Sequence, residues 1–411
     1  MQCVRQNDLQ LDIHRKEHCV TMSKNRNSSF GDENSPERES VSIRHLDKEY
    51  AEDYRRWRSE NSNSYGFFYR SGKDEYTYQD GIGFIDKTPE ITELTSLYNV
   101  NRLISNIVML YFIMITVLPI FLPKLISDVT GADIGFDIIS RAYYGNSRSV
   151  LIYRYITEII EKLIPIAITG AAAKMSLKVM FPMKISNPPL FGICIPSALL
   201  IAAAGSMFII PSSVVLAGLG IDTSQSVLVS GSAGTVAFTV ILLVVITPLL
   251  NELIIHGTML QLLRQFGDGY ALVVTSVITA VCTEDIRTAV YYFVLSAVIG
   301  YFTLRTGSVI TAVVMRSVVS LYFVIQSYIP LAVPENIALT ASMGFILLCL
   351  IIGMVTVITF LIKNNHKISL PFKETYLSNY EKIMCFFTNP MVITLAAMSL
   401  ALMILTAPIK L

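Results

Sequence analysis

The chain has 411 residues, of which 53% are hydrophobic and 15% are charged, and its mean hydropathy is +0.54. A soluble domain carries about 25% charged residues, so this composition excludes an ordinary soluble enzyme. The 32 basic and 31 acidic side chains leave a formal net charge of +1, and the sequence therefore has no electrostatic footprint for nucleic acid.

Residues 1–95 are predicted to form a polar, partly disordered head on the cytoplasmic side of the membrane. They hold about half of the charged side chains and no apolar stretch of the kind that a signal peptide needs. Residues 21–40 have almost no apolar surface to bury, so we expect them to be disordered. Residues 42–60 are suited to a short helix.

The rest of the chain is predicted to be an all-α, polytopic bundle of membrane helices. A span needs about 20 mostly apolar residues, and nine segments are candidates, with eight as the alternative count. The second candidate contains several charged residues and the fifth is short. The nine segments are Leu103–Leu122, Val150–Ala173, Leu190–Ile210, Gly234–Ile255, Tyr270–Cys282, Thr288–Leu304, Ser308–Ile329, Ala338–Ile362 and Met391–Thr406.

The distribution of lysine and arginine predicts a cell-membrane protein with a cytoplasmic N-terminus. Cytoplasmic loops carry an excess of basic residues, and with nine spans the loops 211–232 and 330–337, which contain no lysine or arginine, fall outside. The first outside loop departs from this pattern, because it holds Lys124, Arg141 and Arg148.

Polar residues occur inside three of the predicted spans. Span four ends with Asn251, Glu252 and His256, span five runs into the segment 282–285, and span seven carries Arg316 in its middle. Ionisable groups within a bilayer are costly and by default face the bundle interior. The 1.5 Å rise per helical residue puts the three groups at similar depth, so we expect one shared polar pocket.

Three segments in this order resemble the CPBP intramembrane proteases, the family of the type II CAAX prenyl endopeptidases. They are NELIIHGTMLQLLRQFG, the SxxxAxxxE pattern from Ser276 to Glu284, and LRTGSVITAVVMRSVVS. The resemblance implies a protease-like core at residues 234–330, with further membrane helices at 96–233 and 331–411 on either side of it.

Most of the polar residues of the family's three motifs are replaced in this chain. The resemblance puts the general-base glutamate at Asn251, the second glutamate at Glu252 and the motif arginine at His256. The metal-ligand positions of the second and third motifs fall on Glu284, Arg316 and Ser320. An amide is not a base at neutral pH, and a guanidinium does not ligate a metal, so the usual chemistry is not expected here.

Two hypotheses on function follow from this pattern. The first is a degenerate family member without a cofactor, which binds a membrane peptide or a lipid-modified protein tail, or scaffolds a membrane partner protein. The alternative is an active endopeptidase whose divalent metal, zinc, is held by Glu252, His256 and Glu284. A transporter is a third class, but the sequence has no inverted repeat of the kind that many transporters show.

The paired replacements at Glu284 and Arg316 suggest a more specific hypothesis. A guanidinium in the middle of a span needs a partner, and we expect these two side chains to form an ion pair in the volume of the lost metal site.

Overall fold

The computed structural model describes residues 76–79, 83–86, 89–137, 142–218, 233–283, 286–364 and 377–406. Most of the predicted head, including the expected disordered segment and short helix, lies outside these residues. Two antiparallel hairpins are present, one of strands β1 (Tyr76–Gln79) and β2 (Gly83–Asp86), the other of β3 (Ile134–Asp137) and β4 (Ala142–Gly145).

The described chain is otherwise a bundle of helices, as the sequence predicts. In chain order they are α1 (Pro89–Thr130), α2 (Ser147–Ala173), α3 (Leu177–Met180), α4 (Pro188–Gly192), α5 (Cys194–Gly218), α6 (Ala233–Phe266), α7 (Asp268–Val281), α8 (Ile286–Thr306), α9 (Val309–Ala332), α10 (Glu335–Asn364), α11 (Asn379–Phe387) and α12 (Pro390–Thr406).

Six helical segments of the described chain are long and apolar enough to cross a membrane. A seventh span results if α11 and α12, which meet at an angle of 60°, are counted together. The protein is therefore a multi-pass membrane protein. The six segments are Ile91–Thr130, Pro188–Val215, Ala233–Phe266, Thr288–Thr306, Val309–Ala332 and Glu335–Lys363.

Two of the nine predicted spans are helices that do not meet these criteria. Helix α2 has four charged side chains between residues 154 and 162, so it is not apolar enough along a full span. Helix α7 has 14 residues, which reach only about 21 Å at 1.5 Å per residue, less than the hydrocarbon thickness of about 30 Å. The count is therefore six or seven in the described residues, lower than the predicted nine.

Helix α6 is irregular along its length. It contains two π-helical segments, Leu242–Ile246 and Leu253–Met259, and closes with a 3₁₀ turn, Arg264–Phe266. Gly267 follows with φ at +112°, a conformation that glycine adopts without the steric penalty of a Cβ. This turn reverses the chain into α7 and places the two helices beside each other.

Two clusters of buried apolar side chains hold the bundle together. The first joins α1, α2, α3, α6, α7, α11 and α12 with the end of α8, and the second joins α4, α5, α8, α9 and α10. Within the first, Tyr270 donates a hydrogen bond to Oδ1 of Asn101 at 2.8 Å, and within the second, Tyr322 bonds to Ser206 at 3.1 Å. The two clusters meet along the pair α7 and α8.

Helices α5 and α10 approach closely at Gly353. A Cβ on this glycine would lie 2.7 Å from Cβ of Leu200 and 2.8 Å from the carbonyl oxygen of Pro196. Small residues allow such backbone contact between membrane helices. Gly353 therefore sets the distance between these two helices.

Candidate functional site

Glu252 and His256 form a buried pair on α6. Their exposed fractions are 2% and 1%, and Oε2 of Glu252 contacts Nδ1 of His256. Glu252 is the last residue of the α-helical segment Thr247–Glu252, and His256 lies in the π-helical segment that follows. Short π segments inside helices are rare and often occur at functional sites.

The imidazole of His256 uses both ring nitrogens. Nε2 lies 3.2 Å from the backbone carbonyl oxygen of Ser296 on α8 and 3.5 Å from the hydroxyl oxygen of the same residue. Nδ1 contacts Oε2 of Glu252. Both ring nitrogens are therefore engaged by other groups of the bundle.

Arg316 lies in the middle of α9 with its side chain 14% exposed. Its Nε is 4.0 Å from Oε1 of Glu252, and its Cζ is 4.6 Å from the centroid of the Tyr292 ring. The first distance is too long for a hydrogen bond, so charge attraction alone links the two groups. The carboxylate of Glu252 thus lies between His256 and Arg316.

A cavity of about 300 Å³ opens beside Arg316. Its walls come from α1, α6, α7, α8 and α9, and so from both apolar clusters. Among the described residues that line it, Arg316 is the only charged one. These residues are Val108, Tyr111, Asn251, Ile254, Ile255, Met259, Ile278, Thr279, Cys282, Thr283, Thr288, Tyr292 and Arg316.

The structure brings four of the predicted site residues together. Asn251 and Arg316 line the cavity, and Glu252 and His256 form the buried pair next to them. Ser320 is half-buried one turn beyond Arg316 on α9, and it is not among the described lining residues.

Glu284 lies outside the described residues. Its expected ion pair with Arg316 therefore stays a prediction. Among the described residues, the acidic neighbour of Arg316 is Glu252.

Three contributors to the site were not predicted from the sequence. Ser296 supplies the carbonyl oxygen for His256, Thr279 bonds to the hydroxyl of Ser296 at 2.9 Å, and Tyr292 supports the guanidinium of Arg316. Every residue has a backbone carbonyl, so the role of Ser296 cannot be predicted from its residue type. Tyr292 lies four residues before Ser296, and the helical period therefore places both on one face of α8. This spacing is the one feature of the sequence that could have indicated them.

The model of the family described as type II CAAX prenyl endopeptidase Rce1-like matches residues 233–322. This region is similar to the CAAX prenyl endopeptidases. The match begins with α6 and ends within α9, so it includes every helix that carries the buried pair and Arg316. The predicted resemblance to CPBP membrane proteases is confirmed. No curated protein and no solved structure matches the chain.

The described residues of this CAAX-protease-like region do not fit a divalent metal ion. Both ring nitrogens of His256 are engaged, Glu252 lies between His256 and Arg316, and the guanidinium of Arg316 would repel a cation. No group of three or more histidine, cysteine or acidic side chains suited to a metal occurs in the part of the chain that the structure describes.

Proposed function

We propose that this membrane protein keeps the framework of a CAAX-type endopeptidase and uses it to bind a membrane peptide or a lipid-modified protein tail without cleaving it. The observation that supports this most directly is the double engagement of His256, by Glu252 and by the Ser296 carbonyl. A hydrolase of this type needs a base and an open metal position. In this proposal, the chain has neither.

The replacement of the general-base position supports the same conclusion. Asn251 lines the cavity, where a base would contact the substrate and the attacking water. Its amide cannot accept a proton at neutral pH. The nearby Glu252 is not a substitute, because it is buried against His256 and is not among the described residues that line the cavity.

We further propose that the N-terminal head lies in the cytoplasm. A tail that reaches the bundle from the cytoplasm would meet residues 1–95 first, and this polar region would then be available to hold a partner protein. The orientation rests on the distribution of basic residues.

The decisive experiment uses the full chain in lipid nanodiscs and a tetrapeptide that begins with a prenylated cysteine and ends in three aliphatic residues. We expect saturable binding and an intact peptide after prolonged incubation with zinc. Cleavage that a chelator abolishes, and that is absent from Glu252→Gln, would contradict the proposal and favour the active endopeptidase. The variant separates cleavage by this chain from cleavage by a contaminant.

A further inference from the structure

We infer that the cavity beside Arg316 is a carboxylate-binding site, which receives the C-terminal carboxylate of the bound peptide. This inference rests on the proposed function for the source of the carboxylate. The site itself is inferred independently of that function, from the charges, the hydrogen-bond donors and the shape of the cavity walls.

The charge balance around Arg316 favours an anion. Glu252 is the acidic neighbour within 4.0 Å of Arg316 in the described chain, and its other carboxyl oxygen contacts Nδ1 of His256. The guanidinium of Arg316 stays protonated, and it is the only charged group among the described residues that line the cavity. A cation inside a membrane protein is costly unless it is paired. Among the described residues Arg316 has no hydrogen-bonded acidic partner, and an incoming carboxylate would provide one.

The hydrogen-bond donors on the cavity wall fit the same ligand. No described residue accepts a hydrogen bond from the guanidinium of Arg316, whose planar donors match a carboxylate in a bidentate pair. The amide of Asn251 can add a further donor from α6. The hydroxyl groups of Thr279 and Thr283 are occupied, since they donate to backbone carbonyls at 2.8 Å and 2.7 Å.

The remaining walls restrict what can accompany the carboxylate. They include an apolar side formed by Ile254, Ile255, Met259 and Ile278. A volume of about 300 Å³ is at the lower limit of ligand pockets, which span about 300–1,000 Å³. It is too small for a whole prenylated peptide, and it suits one terminal aliphatic residue with its free carboxylate.

The test compares the prenylated tetrapeptide as a free acid with the same peptide as a C-terminal amide, both binding to the full chain in nanodiscs. We expect the acid to bind at least about tenfold more tightly, as for a charge-assisted pair. Arg316→Gln should remove the preference, and Arg316→Lys should keep part of it. Arg305→Gln is the matched control, because Arg305 lies at the end of α8 and is not among the described lining residues.

A second variant protects the test against misfolding of the Arg316 variants. Asn251→Asp keeps the shape of the side chain and adds a negative charge to the cavity wall. It should therefore weaken binding of the acid and leave binding of the amide unchanged.

Four outcomes separate the possibilities. Equal binding of acid and amide would overturn the carboxylate site while leaving the proposed function intact. Binding of palmitate, sensitive to Arg316→Gln, without binding of either peptide would support the site and contradict the peptide function. Failure of all three ligands to bind would overturn both. If the acid binds to the Glu284→Gln variant but not to the wild-type chain, the site is also overturned, because the carboxylate of Glu284 would then fill it in the wild type.

Discussion

The guanidinium of Arg316 lies over the aromatic ring of Tyr292, with 4.6 Å between Cζ and the ring centroid. The two residues belong to α9 and α8, so this contact joins neighbouring helices at the wall of the cavity. The ring face offers a cation partial neutralisation without a formal charge. Tyr292 therefore helps to keep Arg316 inside the bundle.

We expect Tyr292→Phe to preserve the stability of the bundle and Tyr292→Leu to lower it by about 0.5–2 kcal/mol, the range of cation–π contacts. The phenylalanine variant is the matched control, because it keeps the ring and removes only the hydroxyl. Reversible unfolding in mixed detergent micelles measures both. Equal losses in the two variants would show that the ring face does not support Arg316.

The buried pair of Glu252 and His256 leads to a prediction on coupling. Glu252→Gln removes one partner and should cost about 3–5 kcal/mol, as for a broken buried ion pair. The double variant Glu252→Leu with His256→Leu removes both groups and should be more stable than the single variant. The same unfolding measurement tests this. A double variant that is less stable than Glu252→Gln would argue against a coupled pair.

Gly353 gives a prediction on helix packing. Gly353→Ala would force α5 and α10 apart, since the new Cβ would lie 2.8 Å from a backbone oxygen that cannot move alone. Overpacking of this kind costs about 1–3 kcal/mol. Gly344→Ala on the same helix is the control, because its Cβ would meet no atom within 4 Å in the described residues, and it should be neutral or slightly stabilising. Thermal unfolding that affects both equally would contradict the close approach.

Lys382 on α11 gives a prediction on the end of α6. It is 1% exposed, and its Nζ donates to the carbonyl oxygen of Phe266 at 2.9 Å. Lys382→Met would leave this buried acceptor unpaired and cost about 1–3 kcal/mol. Hydrogen exchange should also become faster in the turn after Phe266. The exposed Lys363 allows a matched change, Lys363→Met, which should alter neither property.

The fold followed from the sequence where a long apolar run and a helix coincide, as in α9 and α10. The prediction of spans was wrong where a helix is stabilised by contacts with neighbouring helices and is not apolar or long enough to cross a membrane. Helix α2 places charged side chains inside the bundle, where Lys162 pairs with Glu158 and is 3% exposed. Helix α7 is too short to cross a bilayer and packs closely against α8. The hydropathy of a short sequence segment does not report such contacts between helices.

The site was predictable to the extent that burial of polar groups in a membrane is costly. That rule singled out Asn251, Glu252, His256 and Arg316. The structure places Asn251 and Arg316 on the wall of one cavity and buries Glu252 and His256 next to it. The contacts of His256 were not predictable, because one of them is with a backbone carbonyl of another helix. The π-helical turn that carries His256 is likewise a property of the backbone.

We propose that His256 and Arg316 close the position where a CAAX-type endopeptidase would need its metal. Zinc content of the purified full chain, measured by mass spectrometry after equilibration with zinc, tests it most directly. Arg316→His should be measured in parallel, because this change removes the cation and adds a possible ligand. We predict no stoichiometric zinc in the wild-type chain. About one zinc ion per wild-type chain, lost in His256→Ala, would show that this position is open to a metal and would contradict the proposal.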